Sequence, residues 1–512
     1  NRLAAIPPRP IRGEGSWRIL LILKYKVPIY LSILITLVIV LGIAGGYLGT
    51  PVGTLESSVS YGVIKGFWPI VLVIFAAIFA YNVMLRTGAI SVIEKSLSAV
   101  TDDRRIQILL IAWCFGGFLE GAAGFSVSVA IPMGILLALG FEPMRAAVAT
   151  LIADTVTTAF GAAGIPMIML ADLTNLSVTD LSSTVILQLA VFNFLLPVAM
   201  VSIVGGGLGA VKGILSLLIG IGITTTIPQY LTALLLGPQL VAFAGSLTSL
   251  AYLLLWLRIF EHKTPGEHRR FGKEKESTHE LGFLRAGSIY LVMFVLILAA
   301  SPLFPKIAGE LAAVATPIRF TLDDERVLTA NIDWIATPGV LILISTILGG
   351  LIQGAGPRIM GEVFARTAKQ LAPAGVAICG IVAMATVMDV SGLIEKTAEP
   401  LIEAAGDRFA WISPLFGMLG TFVTGSVVNS NVLFGKLQLL AAHESGMSSV
   451  WFAAANAAGA TVGKMVAPQS IAIAASASAV LAQSSSKMLS GTLRYAVAGA
   501  VILAAVAGLF AF

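Results

Sequence analysis

Three ionisable residues stand in stretches otherwise built for lipid. Glu120 lies in "GGFLEGAAGFSVSVAIP" (116–132), Asp154 in "AAVATLIADTVTTAF" (146–160) and Lys464 in "GKMVAPQS" (463–470). An ionisable group within a membrane span is costly unless it is paired, and so marks a functional position by default. A carboxyl that loses water holds its proton more tightly, which is what a proton coupler needs. A lone ammonium can hold a carboxylate through a charge-assisted hydrogen bond. Neutral donors and acceptors cluster in the same stretches: Ser126, Ser128, Thr155, Thr424, Ser426, Asn429, Ser430, Asn431, Gln469 and Ser470. Such groups suit a small anion that also carries a hydroxyl. The expected chemistry is therefore binding and release, with Lys464 and the neutral groups holding the solute and Asp154 or Glu120 exchanging the proton. The plainer readings are a snorkelling Lys464, carboxyls that brace helices, and hydroxyls and glycines (Gly117, Gly121) that let helices pack closely.

The remainder of the chain fits a membrane setting. Its 512 residues are 57% hydrophobic and only 12% charged, against about 25% charged in soluble domains. Its mean hydropathy is +0.94. Apolar runs long enough to cross a bilayer, roughly 17–25 residues, recur along the whole length. The net charge of +5 resides in loops rather than in a nucleic-acid-binding patch, so no nucleic-acid partner is expected. Cys114 and Cys379 lie far apart in apolar runs and suggest neither a disulfide nor a metal site. No nucleotide or prosthetic-group motif is visible, and no cofactor is expected.

Candidate spans fall near 28–48, 67–85, 146–170, 185–204, 210–227, 238–257, 286–304, 335–356, 374–390, 451–474 and 494–512. The regions 106–141 and 413–442 are apolar but interrupted by glycine and hydroxyl residues. "IQILLIAWCFGGFL" is 14 residues long, the length of a re-entrant or broken segment. The expected fold is an all-α polytopic membrane protein, with about 11–12 transmembrane helices plus two re-entrant hairpins. Residues 2–26 hold six Lys or Arg, the 86–105 loop four and the 258–285 loop seven, whereas 171–183 and 305–335 favour acids. The positive-inside rule puts the first three in the cytoplasm and the last two outside. The expected division is a cytoplasmic N-terminal segment 1–27, a first membrane half 28–257, a cytoplasmic linker 258–285 and a second half 286–512. The linker's His262, His268 and His279 match no metal-ligand spacing and read as solvated.

The halves share an order of elements. "FLEGAAGFS" at 118–126 finds a partner in "FVTGSVVNS" at 422–430, and each is followed by a small-residue helix. A Gly-to-Pro break then closes each set, "GAAGIP" at 161–166 and "GKMVAP" at 463–468. The first hairpin follows a loop expected in the cytoplasm, the second the acid-rich stretch 391–412 expected outside. Two inverted-topology repeats are therefore expected. Discontinuous helices in inverted repeats place substrate near the bilayer midplane, where the breaks meet.

Five stretches, "EGAAGF", "GFEPMRAA", "AFGAAGIP", "TGSVVNSNVLFGKLQ" and "NAAGATVGKMVAPQSIAIA", resemble the L-lactate permease family of bacterial transporters. The resemblance is concentrated in 113–170 and 417–476. It implies symport of lactate, glycolate or a related short 2-hydroxy acid with protons, in the bacterial cytoplasmic membrane. The partners it implies are that small anion, protons and the bilayer, and a homo-oligomer stays open. Two positions depart from the pattern it suggests: Val427 where the family often has an acidic residue, and "ADT" with Asp154 where it often has Asn-Thr. A symporter of another organic anion (a sulfonate or a dicarboxylate), or one coupled to sodium, is the alternative. An intramembrane protease built on Ser126 with His443, or on Asp154 with Asp389, lacks the motif spacing such chemistry needs. A passive channel would carry flux independent of a proton gradient.

Overall fold

A computed structural model describes residues 29–260 except 125 and 126, residues 264–268, and residues 282–511 except 302 and 478. Ser126, His262, His279, the segment 1–27 and most of the 258–285 linker lie outside the described residues. Long apolar runs leave their backbone polar groups no water, so they must pair within the segment, and the described chain is accordingly a helical membrane protein. Eight helices among the described residues are long and apolar enough to cross a bilayer, from Val52–Arg86 to Ser485–Leu509, and shorter apolar helices accompany them. Arg104–Ala123 is buried nearly all round, the pattern of a helix at the centre of a bundle. By contrast Leu215–Leu236 turns Ile219, Ile223, Ile227 and Leu231 outward, as a lipid-facing stripe does.

The expected interruptions are present. The first hairpin's leading arm is the end of Arg104–Ala123, at 20 residues long enough to cross rather than the short segment expected over 106–119. It turns at Gly124 into Val127–Ala138, and the second hairpin consists of Phe409–Thr424 and Val427–Glu444. The expected span 146–170 is divided: Pro143–Ala153 ends at Asp154, a 3-10 turn covers Thr157–Phe160, and the following element, Gly161–Thr174, leaves helical geometry at Ala162, Ala163 and Gly164. The cause is local. In "DTVTT" the hydroxyls of Thr155 and Thr158 donate to the carbonyls of Ile152 and Asp154, and such side-chain bonds compete with the helix ladder. The expected span 451–474 is likewise divided between Ser449–Lys464 and Pro468–Ser476.

Glycines set how closely these pieces pack. A methyl added at Gly417, Gly459 or Gly463 would collide with backbone of the facing helix, so Phe409–Thr424 and Ser449–Lys464 lie almost backbone to backbone. Gly117 and Gly121 make room for the side chains of Ser246 and Ala242 of Val241–Ile259. The packing reading of that G-x-x-x-G spacing therefore holds alongside any role of Glu120.

One element has no counterpart in the expectations from sequence. Residues 315–333 form an antiparallel β-hairpin, β1 (Ala315–Thr321) and β2 (Val327–Asp333), with Ile318 opposite Ala330. It docks on the helix Val52–Lys65, whose N-cap position is Pro51 with no capping side chain. Asp323 supplies the missing cap: its Oδ2 accepts from Thr54 N at 2.6 Å and from Thr54 Oγ1 at 2.8 Å. A carboxylate at a helix N-terminus also complements the helix dipole. Two ion pairs join the long helices to the interrupted elements. Lys65 pairs with Asp172 at the end of Gly161–Thr174, and Asp389 at the end of Pro357–Val390 pairs with Lys436 of the second hairpin. The cap generates a prediction. Asp323→Ala should cost about 0.5–2 kcal/mol locally, read as faster amide hydrogen exchange over residues 52–58 in detergent. Unchanged exchange there would show that the helix start is held by packing alone.

Candidate functional site

The two interrupted sets meet. A cavity is lined from the first half by Glu120, Gly124, Thr158, Gly161, Ala162, Ile165 and Pro166, and from the second by Gly425, Ser426, Val427, Val428, Lys464 and Gln469. Glu120 is brought there by the first hairpin, and a methyl at Gly161 would overlap its carboxyl, so this glycine admits the carboxyl to the break. The break itself is a left-handed run: Ala162, Ala163 and Gly164 have φ of 46°, 56° and 78°. Left-handed backbone costs a non-glycine residue about 1–2 kcal/mol, and strain of this kind collects at functional sites. The run is confined to small residues because Ala162 lies against the hairpin tip: a methyl built on Gly124 would come within 3.1 Å of it.

Behind the cavity wall lies the polar centre. Ser128 Oγ is 2.6 Å from Glu120 Oε2 and 2.5 Å from Asp154 Oδ1, and all three side chains are buried. On the other side Lys464, 5% exposed, donates from Nζ to Gly425 O at 3.0 Å. Gly425, at φ 74°, is the tip of the second hairpin, and a methyl there would run into Gln469. Gln469 is exposed and marks the mouth of the cavity. Among the described residues no three His, Cys, Asp or Glu converge to hold a metal ion.

The sequence matches the family model for L-lactate permease over residues 17–512. The chain belongs to the L-lactate permease family. It is 38% identical to an L-lactate permease of Streptococcus iniae over 398 residues, 77% of this chain and 82% of that one. It is 32% identical to the glycolate permease GlcA of Escherichia coli (strain K12) over 508 residues, 93% and 90% of the two chains. The L-lactate permease of the same strain is 31% identical over 496 residues, 89% and 87%. These are transporters, not enzymes.

In this permease the residues singled out from sequence fall in different places. Glu120, Lys464, Ser426 and Gln469 line the cavity, with Ser128 and Asp154 joined to Glu120 directly behind it. Asn431 links the halves: its Nδ2 donates to Pro166 O at 2.9 Å and its Oδ1 accepts from Asn456 Nδ2 at 3.1 Å. Thr424 and Ser430 instead donate to the carbonyls of Gly420 and Gly417, and neither lines the cavity. Asn429 and Ser470 are buried near it, with Asn429 Oδ1 and Ser470 Oγ lacking hydrogen-bond partners. Arg145 and Glu142, within the "GFEPMRAA" stretch, are exposed at a helix start, 3.9 Å apart. Thr158 and the apolar lining residues were not singled out. Thr158 shares its stretch with Asp154 and was legible there, whereas valines and isoleucines in so apolar a chain give no contrast.

The bridging hydroxyl yields a prediction. Ser128→Ala removes the partner of two buried carboxyls, and each orphaned polar group costs about 1–3 kcal/mol. The variant should melt at a lower temperature in detergent than the parent, and Ser128→Thr should recover part of the loss. An Ala variant as stable as the parent would mean that the carboxyls are satisfied some other way.

Proposed function

We propose that this permease carries L-lactate or a related short 2-hydroxy monocarboxylate such as glycolate across the bacterial cytoplasmic membrane together with a proton. The names of its relatives support the substrate class. The observation that carries the coupling is the Glu120–Ser128–Asp154 bridge. A serine hydroxyl has a single hydrogen. It can donate to one carboxyl, so its bond to the second requires that carboxyl to bring a proton of its own. The pair then holds one proton and one negative charge, which Lys464 balances, and the empty site is neutral.

A monocarboxylate drawn to Lys464 disturbs that balance. The ammonium exchanges its bond to Gly425 O for a charge-assisted bond to the substrate, whose charge then takes up that of Lys464. The remaining carboxylate is left buried without a counter-charge, a cost of several kcal/mol, unless it takes up a second proton. One substrate and one proton thus restore neutrality and travel together. Ser426, Gln469 and Thr158 lie within the cavity to meet the 2-hydroxyl. The reading includes two inverted halves, 28–257 and 286–512, joined by the linker 258–285, with the N-terminal segment in the cytoplasm. It is supported by the matching order of hairpin, small-residue helix and break. Sodium coupling is less well supported, because the charged groups at the site already include two carboxyls that can exchange a proton.

Proteoliposomes with an imposed pH step test the proposal. The parent should concentrate labelled L-lactate when the outside is more acid, and should not respond to a sodium gradient alone. Glu120→Gln or Asp154→Asn should lose gradient-driven accumulation while keeping substrate exchange, because the amide keeps the shape but not the titration. If both amide variants concentrate substrate like the parent, neither carboxyl couples. Lys464→Ala should lose binding and Lys464→Arg retain part of it, since Arg keeps the charge without the compact ammonium. Normal binding in the Ala variant would leave Lys464 a structural role only.

A further inference from the structure

The cavity has a polar side, set by Glu120, Lys464, Thr158, Ser426 and Gln469, and an apolar wall of Ala162, Ile165, Pro166, Val427 and Val428. The wall is assembled from both halves. Ile165 and Pro166 follow directly on the left-handed run of the first break, while Val427 and Val428 open the second helix of the second hairpin. Asn431, one turn further along that helix, donates to Pro166 O at 2.9 Å and pins the two segments together. Ile165 is 1% exposed and Val428 6%, so both are set among packed neighbours. The wall also lies beside the cation: Gly425, whose carbonyl accepts from Lys464, is only two residues before Val427. The cavity is narrow between its polar side and this wall.

We propose that Ile165 and Val428 determine which 2-hydroxy acid is carried, by limiting the substituent on C2 to hydrogen or methyl. This rests on the permease reading above, with the carboxylate at Lys464. Anchored there, an acid carries three groups into the cavity: the carboxylate, the 2-hydroxyl facing Thr158 and Ser426, and the C2 substituent. The substituent is left facing the apolar wall, in which Ile165 of the first break and Val428 of the second hairpin are buried branched side chains, one from each half. A methyl gains apolar contact with it, whereas an ethyl or isopropyl group meets side chains held by close packing on both halves. In apolar sites one methylene is worth about 10–200-fold in discrimination, so the wall can set the order of substrates without any polar contact to the substituent.

The test is competition against labelled L-lactate uptake in proteoliposomes by glycolate, L-2-hydroxybutyrate and L-2-hydroxy-3-methylbutyrate. For the parent, glycolate should compete well, 2-hydroxybutyrate weakly and the branched acid least. Val428→Ala and Ile165→Ala should each raise competition by 2-hydroxybutyrate relative to unlabelled lactate, by about tenfold or more. Val428→Ile, which narrows the cavity, should shift preference towards glycolate. The milder Ile165→Val and Val428→Ile carry the same test should the alanine variants fail to fold. Unchanged ratios in variants that still transport lactate would overturn the inference while leaving the permease reading intact. A parent that takes up none of these acids would instead overturn the permease reading itself.

Discussion

A helix interrupted inside a bilayer exposes backbone groups that no lipid can satisfy, and the centre of this protein is arranged around meeting that demand. The freed carbonyls at the interruptions are answered by side chains from other pieces. Lys464, at the end of one helix, donates to Gly425 O at the tip of the second hairpin, and Asn431 in that hairpin donates to Pro166 O in the other half. Each interruption is therefore stable only in the company of another. On the proposed reading Lys464 exchanges its carbonyl bond for one to an incoming carboxylate, so that binding and structural integrity would draw on the same hydrogen bond.

Local signals in the sequence conveyed the general plan and missed its long-range pairings. Apolar length announced the helices, and glycine and hydroxyl interruptions announced the hairpins and the breaks, since both are properties of adjacent residues. Glu120, Asp154 and Lys464 were visible because a charge in an apolar run has no background to hide in. The β-hairpin at 315–333 was not, although its β-branched residues are present. Its acid-rich turn read as a loop, and its docking partner is a helix near the start of the chain. Partner choice was equally invisible. Nothing near Lys65 designates Asp172, and nothing near Ser128 says that it stands between two carboxyls. The hydroxyls illustrate the limit within a single turn, for Ser426 lines the cavity while Thr424, two residues earlier, bonds to its own helix. Which way a hydroxyl faces depends on the local start of a helix, and sequence clustering cannot resolve it.

The small residues have a second consequence for the site. Close approach at Gly161 seats the Glu120 carboxyl against the break, and Glu120, Asp154 and Lys464 are all buried. In a low-dielectric setting a charge without a partner is far more costly than at a surface. Tight packing therefore links the charge state of the carboxyl pair to whatever occupies the cavity, and a looser arrangement would let water absorb the difference. The two ion pairs, Lys65–Asp172 and Asp389–Lys436, belong to the opposite regime. They are partly open to water, where such pairs contribute little stability and can be parted without great penalty.

The cap on the helix Val52–Lys65 has an implication for how the chain is made. Thr54 and the Asp323 that caps it are separated by 269 residues. At ribosomal rates of about 5–20 residues per second, the capping residue is made on the order of tens of seconds after the helix it completes. Through that interval the helix start has already been synthesised with its N–H groups lacking their carboxylate. The first half of the protein is thus delivered unfinished, and this helix start matures only once the chain has been made through residues 315–333 and the β-hairpin has folded back over it.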